Sequence, residues 1–158
     1  MYSSNGGKIE EQIVVFSLND QVYGVNIASV LEIIRVESVT RVPGTPEFIE
    51  GIINLRSKVI PVMDLCKRFG LPPSEISDQT RVIIVEAGGV TMGITVNSVS
   101  EVLRIPASDI EPVPSIISGA NVDAFRGIAL VDERMITLLD LNKLLYDNEK
   151  KELQDFEY

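Results

Sequence analysis

The chain contains no histidine and no tryptophan, and only one cysteine, Cys66, among its 158 residues. Without histidine, Ser–His–Asp and Cys–His catalytic arrangements cannot be assembled, and His-ligated zinc sites are excluded. One cysteine supplies neither a thiolate cluster nor an internal disulfide, which fits a reducing compartment and predicts a cytoplasmic protein. Nine aromatic residues, none of them tryptophan, are poor provision for stacking sugars or bases, which weighs against a small-ligand-binding barrel. Basic residues are scarce as well: 14 against 23 acidic ones, for a net charge of −9. Nucleic-acid affinity comes from Lys and Arg neutralising phosphates, so an acidic surface argues against a nucleic-acid partner and against docking on an anionic leaflet. No apolar run approaches the ~18 residues a membrane-spanning helix needs, because Asp, Arg, Asn or Gly interrupts each one. The leading MYSSNGGKIEE has no apolar stretch of the secretory-signal kind.

Aliphatic residues are plentiful. The apolar fraction is 45% and mean hydropathy is +0.19, which suggests that some hydrophobic surface is reserved for protein partners. Their arrangement is repetitive. YGVNIASVLEIIRV (23–36) lies over MGITVNSVSEVLRI (92–105), with Gly24/Gly93, Ser29/Ser98, Val30/Val99, Glu32/Glu101 and Arg35/Arg104 identical. Upstream, IVVF (13–16) lies over VIIV (82–85). Downstream, at an offset larger by about seven residues, GIINLRSKVIPVMDLCKRF (51–69) lies over GIALVDERMITLLDLNKLL (127–145). The inserted residues fall between Pro106 and Arg126. Each copy is a roughly 65-residue β-unit, near the lower limit for independent stability, so the two are expected to share a core.

Short β-branched runs at 12–18, 21–27, 32–36, 51–57 and 58–64, and their counterparts in the second copy, read as strands. Asn19-Asp20, Arg56–Lys58 and Gly88-Gly89 mark hairpin turns, the last a primed turn. Pro61 cannot donate to a ladder and predicts an edge position or a bulge. VTRVPGTPEFIE (39–50) reads as a loop with a possible turn of helix, and DLCKRFG as a short helix capped by Asp64 and ended by Gly70. A terminal helix is expected to start at Asp140. About five short strands per copy, spaced by 8–12 residues, suit small closed barrels.

No chemistry-bearing constellation emerges. Gly88-Gly89 lacks the helix start, Lys and Ser/Thr of a phosphate cradle. Asp64 and Asp140 occupy the same repeat position, each at a helix start, and read as caps accepting N–H bonds rather than as a catalytic pair. Cys66 reads as a buried, inert thiol. No cofactor and no metal are expected.

The stretch TRVPGTPEFIEGIINLRSKVIPVMDL (40–65), with YGVNIASVLEI (23–33) and VNSVSEVL (96–103), closely resembles the CheW family of bacterial chemotaxis coupling proteins. The resemblance runs from about Ile13 to Leu145. It implies an all-β protein with a few short helices: two SH3-like five-stranded β-barrel subdomains packed together, about 11–78 and 79–147, with strands exchanged at the boundary. A tail at 1–10 and a charged tail at 148–158 would flank this unit. The resemblance also implies a non-catalytic, monomeric adaptor that links the cytoplasmic tips of chemoreceptors to the regulatory domain of the histidine kinase CheA. Its receptor-binding groove would use Val30, Glu32, Arg56, Val99 and Val102, and the kinase would meet apolar strand edges at the barrel ends. A detached CheA regulatory domain, or the coupling half of a CheW–receiver protein, would share this fold. Two departures stand out: the family usually shows Asn-Leu-Arg-Gly where this chain has Asn54-Leu55-Arg56-Ser57, and often Asp where Asn97 stands. A glycine in that turn would take a positive φ, so serine must strain the turn or change it.

Overall fold

A computed structural model describes residues 9–36, 39–41, 43–45, 47–73, 75–114 and 122–156. Residues 1–8 of the tail expected at 1–10, part of the inserted loop and residues 157–158 lie outside the described residues, and Glu10 belongs to the first strand. Among the described residues, eleven strands form two sheets: β1 (Glu10–Leu18), β2 (Gln21–Asn26), β3 (Val30–Arg35), β4 (Gly51–Leu55), β5 (Lys58–Asp64), β6 (Arg81–Ala87), β7 (Val90–Val96), β8 (Ser98–Pro106), β9 (Ile110–Glu111), β10 (Phe125–Val131) and β11 (Arg134–Leu139). Helix α1 (Leu65–Arg68) follows β5, and α2 (Asp147–Phe156) is the last element. No helix among the described residues is long and apolar enough to cross a membrane.

One sheet has the order β8-β1-β2-β11-β10-β9 and the other β3-β6-β7-β5-β4. Neither is built from one copy of the repeat. The first hairpin of each copy joins the later strands of the other, so the two orders match strand for strand under the repeat, β9 apart. Even the irregularities correspond. A bulge leaves Leu31 of β3 unpaired against β6, and another leaves Ser100 of β8 unpaired against β1; these are the same repeat position. The additional strand β9, missed in the sequence, pairs Glu111 with Ile128, where the described residues of the first copy show a bridge from Thr40 to Ile52.

The apolar runs make sense in this arrangement because β1 and β6 are buried on both faces. Ile13 and Val15 join Ile105, Ala129, Ile136 and Leu138 in a core drawn from one sheet alone, so that sheet curls around its own interior; it is called body 1. Val82 and Ile84 join Ile53, Ile60 and Val62 inside the other sheet, body 2. The alternate residues Val14, Phe16, Ile83 and Val85 point the other way, into a third and larger cluster where the bodies meet. Each such side chain contributes roughly 1.5–3 kcal/mol on burial, so the seam is a principal source of stability. Tyr23 belongs to this seam, its ring 6.0 Å from Phe16 and 6.0 Å from Phe69. Burial, and secondarily Cys66, pushes its phenol above the usual range.

The shared glycines lie where chains approach closely. A Cβ on Gly24 would collide with Ile13 Cγ2, and one on Gly93 would meet Val82 Cγ1 at 2.6 Å. Asp64 and Asp140 are caps: Asp64 Oδ1 accepts from Cys66 N at 3.0 Å, and Asp140 Oδ1 from Asn142 N at 3.0 Å.

Three sequence expectations need correction. Pro61 occupies neither an edge nor a bulge, because β5 lies between β4 and β7. Its parallel pairing with β7 begins only at Val62, and the missing N–H at Pro61 lies just before that ladder. Residues 39–50 form turns, with no helix among those described. Asp140 starts a single 3-10 turn, Leu141–Lys143, and the terminal helix starts at Asp147. There Glu149 reaches back to accept from Tyr146 N at 3.0 Å, as the third residue of a capping box does. The helix docks through Leu153, fully buried in the seam cluster.

The Arg56-Ser57 turn keeps the left-handed geometry despite lacking glycine: φ is 52° at Arg56 and 67° at Ser57. Asn19-Asp20 and Asp132-Glu133 do the same, so the tight turn is imposed by the strands. Ser57→Gly should therefore relieve side-chain strain and raise stability by roughly 0.5–1 kcal/mol after the glycine's entropy is charged against it. Thermal unfolding checks this; an unchanged or lower melting temperature would show that the turn carries no strain.

Candidate functional site

β3 and β8 are repeat-related strands and each is the edge of its sheet. In β3, Val30 lies opposite Val85 and Ile33 opposite Ile83. In β8, Val99 lies opposite Phe16 and Val102 opposite Val14. All four partners belong to the seam cluster, and cross-strand partners share a face. Both edge strands therefore present apolar side chains on the side where the bodies meet. Val30 and Val99 pack against the seam cluster yet stay partly open. Ile33 and Val102, farther along, are 40% and 51% exposed. Each body thus contributes one edge strand with apolar side chains on its seam-facing side.

Glu32 and Arg56 lie on the other face of β3. Glu32 is opposite Ile84 of the body 2 interior, and Arg56 projects from the β4–β5 turn. Their nearest atoms, Glu32 Oε1 and Arg56 Nη2, are 3.3 Å apart, with the arginine side chain 80% exposed. The contact is electrostatic only, since Glu32 Oε1 has no hydrogen bond among the described residues. The two line a cavity of about 400 Å³ with Leu31, Lys58, Ile84 and Glu86. The pair is open to solvent at its arginine end and buried at the Glu32 oxygen, and solvent screening at the open end keeps its contribution small. The equivalent Glu101 also has an arginine, Arg134 at 2.9 Å, two residues beyond the Arg56 position. The structure thus packs Val30 and Val99 against the seam cluster, leaves Val102 exposed on the same face of β8, and pairs Glu32 with Arg56 of the β4–β5 turn. Leu31, extruded by the bulge and 56% exposed, lies between the two groups in sequence.

Ile33 was not among the sequence candidates. The repeat would have identified it, since the offset that relates Val30 to Val99 also relates Ile33 to Val102.

A second concavity, about 440 Å³, lies beside α1 and includes Glu50, Asp64, Cys66 and Thr95. Burial, followed by the neighbouring Asp64, raises the Glu50 pKa. The repeat-related cavity places Arg126 at that position, with its guanidinium 2.5 Å from Glu11 Oε2. The two cavities share no chemistry beyond the capping aspartate, and the described residues hold no group suited to a metal ion. Asn97 plays a structural part, because its Oδ1 accepts from Asn19 N at 2.8 Å and steadies the β1–β2 turn. An aspartate could do so equally well.

The model of the CheW-like domain matches residues 12–149, nearly all of the chain. This protein belongs to the CheW family. The chemotaxis protein CheW of Klebsiella aerogenes is 34% identical over 144 residues, spanning 91% of this chain and 87% of that one. The chemotaxis protein CheW of Bacillus subtilis is 34% identical over 138 residues, spanning 87% and 88%. Among solved structures, the scaffolding protein TtCheW from Thermoanaerobacter tengcongensis superposes with a TM-score of 0.80 at 45% identity, covering 88% of this chain and 94% of that one. The fold is therefore shared with a protein named for scaffolding, and the sequence with proteins named for chemotaxis.

Proposed function

We propose that the protein couples transmembrane chemoreceptors to the histidine kinase CheA as a non-catalytic scaffold on the cytoplasmic side of the membrane. The observation that carries this reading is the pair of edge strands β3 and β8, which present apolar side chains at equivalent repeat positions on their seam-facing sides; we read them as the walls of one groove. A receptor's cytoplasmic tip is a helical hairpin, and an apolar stripe along it would dock in such a groove as a helix does. Val30, Ile33, Val99 and Val102 would form the walls, and Arg56, loosely held by Glu32, would meet a carboxylate on the receptor. The kinase regulatory domain would dock away from this groove. The exposed cross-strand pair Leu130–Met135, beside the β10–β11 turn at one end of body 1, is the surface we assign to it. Kinase activity would then change only through the geometry in which the partners are held.

The test is reconstitution of receptor-containing membranes, kinase and this protein. The kinase should sediment with the membranes only when the protein is present. Arg56→Glu should weaken receptor binding at least about tenfold, since a charge reversal opposite a carboxylate turns attraction into repulsion. It should leave kinase binding, sheet circular dichroism and melting temperature nearly unchanged. Full receptor binding by a folded Arg56→Glu variant would remove Arg56 from the site, and kinase sedimentation independent of the protein would end the coupling reading.

A further inference from the structure

The chain leaves each body through a strand that ends in a capping aspartate, and it then closes on the other body. After β5 of body 2, α1 and the residues beyond it reach the β1–β2 turn of body 1. There Asn19 Nδ2 donates to Pro72 O at 2.7 Å, and Cys66 Sγ lies 4.0 Å from Asn19 Oδ1. After β11 of body 1, the chain reaches the β6–β7 turn of body 2. A Cβ on Gly88 of that turn would stand 2.9 Å from Lys150 Nζ and 3.4 Å from Asn142 O. Asn19 and Gly88 are the same repeat position, so the two straps are reciprocal.

The straps are joined to each other by an ion pair. Arg68 of α1 donates through Nη2 to Glu149 Oε2 of α2 at 2.6 Å, with the side chains only 7% and 11% exposed. The guanidinium carbon also lies 5.5 Å from the centre of the Phe48 ring and 5.1 Å from that of Tyr146. These distances are within cation–π range, and the two rings come from distant parts of the chain, one before β4 and one after β11. Apolar residues of equal volume would stabilise this spot at least as well as a buried ion pair, whereas a pair admits one geometry.

We propose that Arg68–Glu149 is a lock. It ties the two straps together, fixes the angle between the bodies, and so holds the groove between β3 and β8 at one width for its helical partner. The link to the groove rests on the receptor-binding reading above. The lock itself does not.

The test uses the full chain in a Cys66→Ala background, with spin labels at Asn54→Cys of body 2 and Leu130→Cys of body 1, both exposed and repeat-related. Double electron–electron resonance should give one narrow distance for the parent protein. Glu149→Gln and Arg68→Met should each broaden that distribution at least about twofold, with sheet circular dichroism retained. In chains that keep Leu130, the same two substitutions should also weaken binding of a receptor-tip hairpin peptide about tenfold, while binding of the kinase regulatory domain stays within about twofold. Should Arg68→Met fail to fold, the isosteric Glu149→Gln carries the measurement. An unchanged narrow distribution overturns the lock. A broadened distribution with undiminished peptide binding overturns its connection to the groove. Failure of the parent protein to bind the peptide counts against the coupling reading instead, and the distance data still decide the lock.

Discussion

Phe16→Ala is expected to lower the free energy of unfolding by about 3–5 kcal/mol, the range for removing a fully buried phenylalanine whose neighbours cannot collapse into the gap. Phe16 is 1% exposed and lies on β1, whose opposite face fills body 1. Closing the gap would require β1 to move, and that would open the body 1 interior. For a chain of this length the melting temperature should fall by roughly 10 °C. A loss below about 1 kcal/mol would mean that the seam is plastic and that the bodies are held by other means. The exchanged hairpins add a second expectation for the same experiment. Each body contains strands from both copies, so neither can unfold while the other stays intact. Calorimetry should therefore show one transition for the parent and for Phe16→Ala, with calorimetric and van't Hoff enthalpies in agreement.

Much of this architecture was legible in the residues, for a physical reason. Burial on both faces makes strands near-continuous aliphatic runs; IVVF and VIIV read as strands from the residues, and the pairing shows them to be interior ones. Tight turns announce themselves as well, through Asn19-Asp20 and Gly88-Gly89. The turn at Arg56-Ser57 was harder, because its left-handed backbone is forced by the flanking strands rather than requested by its residues. Pro61 misled because a missing donor is harmless wherever a ladder has not begun, and only the arrangement of β7 reveals where that is. The helix expected from Asp140, with the tail extending or fraying it, starts instead at Asp147, and its docking was hidden by composition: DNEKKELQDF is polar on all but one face, and the contact depends on Leu153 and on Glu149 meeting Arg68 eighty-one residues away. No local pattern encodes such a contact. The candidate site divides along the same line. The valines were named through a family resemblance, and the register now puts Val30, Val99 and Val102 on the seam face. The ion pair of Glu32 with Arg56, by contrast, joins an edge strand to a turn that is distant in the chain.

The groove makes a prediction about a residue that no motif singles out. Ile33→Asp should weaken binding of a receptor-tip hairpin peptide at least about tenfold, as should Val102→Asp, its repeat equivalent. Burying an unpaired carboxylate in an apolar contact forfeits the hydrophobic gain and adds a desolvation penalty, together well above the 1.4 kcal/mol that a tenfold change represents. Because both side chains are already 40% and 51% exposed, the isolated protein should tolerate either change with little loss of stability. Leu130→Asp is the control: it is also exposed and apolar, but it lies on the hairpin assigned to the kinase, so peptide binding should be unaffected. Titration calorimetry with the three variants separates the surfaces. If Val102→Asp weakened the complex and Ile33→Asp did not, the helix would contact one body only. Unimpaired binding by both would remove the seam from the receptor interface altogether. A loss in both, with Leu130→Asp unaffected, would mean that the partner touches both walls at once, as a helix lying along the seam must.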